Sequence, residues 1–146
     1  MRYVEDLSIG QPMVSAEYTL HEDAIIAFAR QWDPQPFHVD PVAAKLTPMA
    51  GLTASSAHTY AIAAKLLAKI EPPIAGIASL KHEFEIPHAA RPGDRLSLSL
   101  SVVDQRVSTS KPDRGLITTV AELHNQSGKV VLRLRSLLMV HCRPAD

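Results

Sequence analysis

Cysteine is nearly absent: Cys142 stands alone in a chain of 146 residues. One thiol excludes an internal disulfide and a thiolate zinc cluster, and it suits a reducing cytoplasm. Net charge is absent as well, with 15 basic residues against 15 acidic ones. There is no basic surplus to draw nucleic acid or an anionic lipid surface. No apolar run approaches the roughly 18 residues that a bilayer-spanning helix needs. The opening stretch MRYVEDLSIG carries acids and no apolar core, so it does not read as a signal peptide. Internal repeats and low-complexity tracts are missing too. What remains is a chain of single-domain size, residues 1–146, long enough to bury roughly two-thirds of its unfolded surface.

The pattern along the chain changes period once. Residues 12–18 read as a short strand. Thr19 and Glu22 have the spacing of a capping box, and they open an expected helix over 20–32. Its Ala24, Ile25, Phe28, Ala29 and Trp32 share one face, which makes Trp32 a core residue. Asp33-Pro34 ends it, because proline disfavours helix at the residue before it. A loop follows, with one helical turn at 41–46 for which Asp40 serves as N-cap ahead of Pro41. Residues 53–70 then form a long helix, apolar or small nearly all round, which predicts burial on every side. From 74 onward the period is two. Strands are expected over 74–86, from Leu96 through Val102 (where leucine alternates with serine), over 116–124 and over 129–142, joined by turns at Arg91-Pro92-Gly93-Asp94 and Asn125-Gln126-Ser127-Gly128. Residues 108–115 are left as a polar loop. The fold class is α+β: an antiparallel sheet curled around one long helix, with edge strands that invite dimerisation.

The stretch with the most chemistry is Trp32-Asp33-Pro34-Gln35-Pro36-Phe37-His38-Val39-Asp40. It places a carboxylate and an imidazole five residues apart on a segment stiffened by two prolines. Asp33-x-x-Pro36-x-His38, with Ala44 six residues further on, resembles the hydratase-2 motif of the MaoC-like dehydratases, the (R)-specific enoyl-thioester hydratases of the hot-dog fold. The resemblance takes in the preceding helix, the small-residue central helix, the Arg-Pro-Gly-Asp turn and the final hairpin. Three positions depart from the family pattern. Gly-Asp-x-Asn-Pro becomes Trp32-Asp33-Pro34-Gln35-Pro36. His-Gly at the start of the central helix becomes Ser55-Ser56. A serine deeper in that helix aligns with Ala64.

The resemblance implies a hydratase/dehydratase that adds water reversibly across the 2,3 double bond of an acyl-CoA or acyl-carrier-protein thioester. It implies Asp33 and His38 as the pair that holds the water, the Ser56 N–H as donor to the thioester oxygen, and Phe37, Gly51 and Ser55 as residues against the substrate. It also implies a homodimer, or a larger assembly of dimers, with a continuous sheet. The chemistry agrees with these residue types. Conjugate addition of water needs a base, an acid and an oxyanion donor at one site, and the open N–H groups of a helix N-terminus supply the last. No metal and no separate cofactor is expected, coenzyme A being part of the substrate; the histidines show no ligand spacing. His58 reads as a satisfied core or interface histidine and Tyr60 as core, Ser55 and Ser56 as helix-capping, and Cys142 as a buried or inert thiol. Two other readings stay open. A hot-dog thioesterase would direct water at the carbonyl and would carry its carboxylate on the central helix, where residues 53–70 have none. A non-catalytic acyl-thioester-binding subunit would tolerate the departures at Ser55, Ser56 and Ala64.

Overall fold

The computed structural model describes residues 1–145. Strands β1 (Met13–Val14) and β2 (Tyr18–Thr19) precede helix α1 (Glu22–Trp32), two short helices α2 (Pro36–Val39) and α3 (Pro41–Lys45), and the central helix α4 (Ser56–Leu67). Four long strands follow: β3 (Gly76–Glu85), β4 (Arg95–Val107), β5 (Arg114–His124) and β6 (Val130–His141). The sheet is antiparallel, in the order β1-β4-β5-β6-β3, with β2 also on β4. This is the hot-dog arrangement that the sequence resemblance implies.

The alternation in β4 decides which face is covered. Leu96, Leu98, Leu100 and Val102 are buried and the serines between them are not. The same period continues through β5, where Ile117, Ala121 and Leu123 point inward. Helix α4 lies on this inner face through Ile62, Ala63 and Leu66, which join Leu98, Leu100, Leu123 and Leu134 in one core. A second, smaller core of Val4, Leu7, Val102, Ile117 and Val140 closes the far end of the sheet. The two turns adopt the positive φ their glycines permit, +84° at Gly93 and +74° at Gly128.

Several local expectations are corrected. The Thr19–Glu22 capping box does not form. Thr19 is drawn into β2 opposite Arg95, and α1 starts from an extended His21 that makes no side-chain cap. Trp32 is not core. Ile25 and Ala29 are fully buried, but Trp32 at the free end of α1 is 67% exposed, so the ridge that the core covers stops a turn earlier. The central helix is shorter than 53–70 and not buried all round. Ser56, Ala57, Ala61, Ala64, Lys65 and Ala68 remain exposed, because the curled sheet covers only one side of α4. Strand β5 takes up Arg114 and Gly115, so the loop after β4 is shorter than 108–115. Asp40 does cap α3, accepting from the N–H groups of Val42 and Ala43 at 2.8 and 3.1 Å.

Candidate active site

Asp33 sits where α1 is forced to end. Its N–H still bonds the Ala29 carbonyl, but its own backbone has left the helix (φ −156°, ψ 70°) ahead of Pro34. Pro36 then restarts a single turn, α2, at whose N-terminal end its missing N–H costs nothing. That turn, absent from the sequence reading, rotates His38 back toward Asp33. His38 Nε2 and Asp33 Oδ2 are 3.6 Å apart, with His38 buried and Asp33 half-buried.

Both members of the pair are held from behind. His38 Nδ1 lies 2.6 Å from the carbonyl oxygen of Thr53. A carbonyl only accepts, so Nδ1 carries the hydrogen and donates; Nε2 is then left as an acceptor in the neutral ring. Asp33 Oδ1 accepts from Gln35 Nε2 at 3.0 Å, which leaves Oδ2 as the oxygen that faces the imidazole. With a neutral imidazole and an ionised carboxylate, the two facing atoms are both acceptors. A separation of 3.6 Å is too long for a hydrogen bond between them, and a water lodged beside both can donate one hydrogen to each. Thr53 and Gln35 escaped the sequence reading. Thr53 acts through its main chain, which leaves no mark on residue type. Gln35 was legible in part, since it keeps an amide at the family's asparagine position on a longer arm.

The segment that orients His38 also opens the central helix. The Thr53 N–H donates to the Phe37 carbonyl at 3.3 Å, which pins the loop to the strand-like lead of α4. Ser55 is that helix's N-cap, 1% exposed, and its Oγ accepts from the His58 N–H at 3.1 Å. The Thr59 N–H is taken by the Ser55 carbonyl. Among the described residues, the N–H groups of Ser56 and Ala57 have no such partner, and both residues are exposed. Phe37 is half-buried and meets the His38 ring edge-on at a centroid distance of 4.5 Å. Gly51 lies in the loop ahead of Thr53, under the Arg91 guanidinium. That group donates to the Met49 carbonyl at 2.6 Å and would sit 3.3 Å from a Cβ at position 51.

The remaining candidates fall elsewhere. His58 is buried and stacked on Phe28 of α1, with ring centroids 4.5 Å apart and 7° between planes. Its Nδ1 is buried without a hydrogen-bond partner among the described residues, so it is a core histidine but not a satisfied one. Burial holds its pKa below the ordinary value. Tyr60 is half-buried beside the rings of His82 and Phe84. Cys142 is buried, and burial raises its thiol pKa. Among the described residues no group of three histidine, cysteine or acidic side chains could hold a metal ion. Among the described residues no helix is long and apolar enough to cross a membrane.

Residues 6–123 match the MaoC like domain family. The chain belongs to that family. The MaoC-like dehydratase from Rhodospirillum rubrum superposes on this MaoC-like chain with a TM-score of 0.95 at 39% identity, covering 99% of this chain and 100% of that one. The Bacillus subtilis (strain 168) protein YdeM is 28% identical over 127 residues, 84% of this chain and 87% of its own length. The R-hydratase PhaJ1 from Pseudomonas aeruginosa shares the fold, with a TM-score of 0.72 at 21% identity over 99% of this chain and 92% of that one. The MaoC-like assignment covers the Asp33–His38 pair and the start of α4 together.

Proposed function

We propose that this protein is a hydratase/dehydratase for 2,3-enoyl thioesters of coenzyme A or an acyl-carrier protein. The observation that carries the reading is the Asp33 Oδ2–His38 Nε2 pair, two acceptors 3.6 Å apart with the imidazole tautomer set by Thr53. A water donating to both is oriented and can be deprotonated as its oxygen attacks C3. The C3–O bond forms, the π pair moves onto C2 and the thioester oxygen, and the pair returns a proton to C2. The Ser56 N–H, at the positive end of α4, receives the developing oxyanion; one such donor is worth about 3 kcal/mol at the transition state. Ser55 holds that N-terminus in place, and Phe37 and Gly51 border the acyl thioester. The likeness to a MaoC-like dehydratase supports the reaction class. No metal or additional cofactor enters this scheme. The working unit is a homodimer, and a cytoplasmic location suits the lone cysteine.

Crotonyl-CoA tests the reading. Purified protein should lower the absorbance of the conjugated thioester to an equilibrium value, and from 3-hydroxybutyryl-CoA the absorbance should rise to the same ratio, since one barrier serves both directions. Release of free thiol would identify a thioesterase instead, although α4 carries no acidic residue to support one. Binding without turnover across short, medium and branched enoyl-CoAs would identify an acyl-binding subunit.

A further inference from the structure

The inner face of the sheet is largely apolar, and one row that crosses it is polar on three strands. The strand registers place Leu100, Ala121 and Leu134 side by side across β4, β5 and β6, and Ile117 beside Leu138 two rows on. Between them, Thr119 of β5 pairs with Ser136 of β6, and Ser136 with His82 of β3. Thr119 and Ser136 are 2% and 5% exposed, and Ser136 Oγ lies 2.8 Å from His82 Nδ1. The Tyr60 ring of α4 packs edge-on against His82 at 5.7 Å. Strand positions of this kind take valine or leucine at no cost, whereas a buried hydroxyl is unfavourable unless it is paired.

This row borders a cavity of about 550 Å³ between α4 and β3. Among the described residues no Lys, Arg, Asp or Glu lines it, and apart from Tyr60, Ser79 and the polar row its walls are apolar. Tyr60, Ala64 and Ala68, on the side of α4 that begins at Ser56, line the cavity. Ala64 lies about 12 Å along the helix axis from Ser56 at 1.5 Å per residue. A hydroxyl has one donor and two acceptor sites, so Ser136 keeps hydrogen-bonding capacity after its contact with His82. A plain hydrocarbon tail in this cavity would strip water from Ser136 and Thr119 and give nothing back.

We propose that the cavity takes the tail of an acyl group bearing a neutral oxygen, a hydroxyl or keto group, which Ser136 and Thr119 hydrogen-bond. The inference rests on the acyl-thioester reading and adds the class of acyl chain. The absence of a cation among the lining residues disfavours a carboxylate tail.

Calorimetric titration with saturated acyl-CoAs separates this from the hydration chemistry, because these ligands have no double bond to hydrate. Medium-length chains would be compared as the hydrocarbon, as a series with the hydroxyl moved along the tail, and as the ω-carboxylate. At least one hydroxylated member should bind about tenfold more tightly than the hydrocarbon, the scale of one well-made hydrogen bond. The double variant Ser136→Ala, Thr119→Val should bring that ratio near one; His82→Phe, which removes only the partner of Ser136, should reduce it and serves if the double variant does not fold. A hydrocarbon that binds as tightly as every hydroxylated member overturns the inference, as does a carboxylate that binds tightest or a ratio untouched by these substitutions. A hydroxyl preference without turnover of any short, medium or branched enoyl-CoA would leave the inference standing and sink the hydratase reading. Turnover without the preference would do the reverse, and failure to bind any acyl-CoA would overturn both.

Discussion

His38 is tied at one nitrogen and open at the other, and that asymmetry gives Asp33 its partner. With Nδ1–H donated to Thr53, the ring presents a lone pair to the same space as Asp33 Oδ2. Asp33→Asn preserves the shape and the oxygen that Gln35 holds, while turning the second oxygen into a donor or removing its charge. The variant should lose about 10²- to 10⁴-fold in kcat for crotonyl-CoA, the usual worth of a positioned general base. KM should stay near wild type and the far-ultraviolet dichroism should be unchanged. His38→Gln should fall in the same range. Stopped assays of both variants decide the matter: full turnover in either one removes it from the mechanism. That Asp33 and His38 would meet was legible from residue type and spacing. The groups that aim them were not, since a main-chain carbonyl at Thr53 and a local side-chain bond from Gln35 depend on how the loop folds back.

Between elements, the contact that sets α1 on α4 is the stack of Phe28 on His58. Periodicity identified both helices, but not which residue at each end does the packing. Trp32 shares a face with Ile25 in the sequence yet overhangs the core, and α2 is a single turn too short to leave a period. The strands were easier to read. Leucine–serine alternation in β4 fixes its inner face by itself, and the turns carry their glycines where φ is positive. His58 has a stability cost that burial makes explicit: Nδ1 has no partner among the described residues, and its pKa lies below the ordinary 6.5. The unfolded chain therefore binds a proton before the folded one does. Above pH 6.5 both states are neutral at this ring and the contribution is flat. As pH falls from there toward the folded pKa, stability is lost, at no more than about 1.4 kcal/mol per pH unit. His58→Phe retains the aromatic stack and removes both the proton and the orphaned nitrogen. Its Tm should exceed that of wild type by an increment that widens as the buffer is taken from pH 7 to pH 5. A constant difference across that range would mean that the imidazole does not titrate on unfolding.

At the scale of the molecule, the two edges of the sheet are unlike. One is closed by the two-residue strands β1 and β2 on β4, while the other is the ten-residue strand β3, whose outer side pairs with no strand among the described residues. A long open edge is a template for another strand. Along β3, Leu80 and Phe84 are 49% and 47% exposed, and Lys81 and Glu83 flank His82 with opposite charges. An antiparallel two-fold pairing centred on His82 would set Lys81 against the partner's Glu83 and the reverse, so the charges that would repel a foreign strand complement a second copy. The same docking would bring apolar surface toward the exposed alanines of α4 and the cavity beside β3, both of which stand open in one chain. Sedimentation equilibrium should therefore report a dimer at micromolar concentration. Leu80→Asp combined with Phe84→Asp should shift it to monomer, since two charges per chain would be buried without partners at the contact. Because the cavity would then lose one wall, crotonyl-CoA turnover should fall along with the mass. A wild-type chain that sediments as a monomer would leave β3 an open edge and put the whole of the site within one protomer.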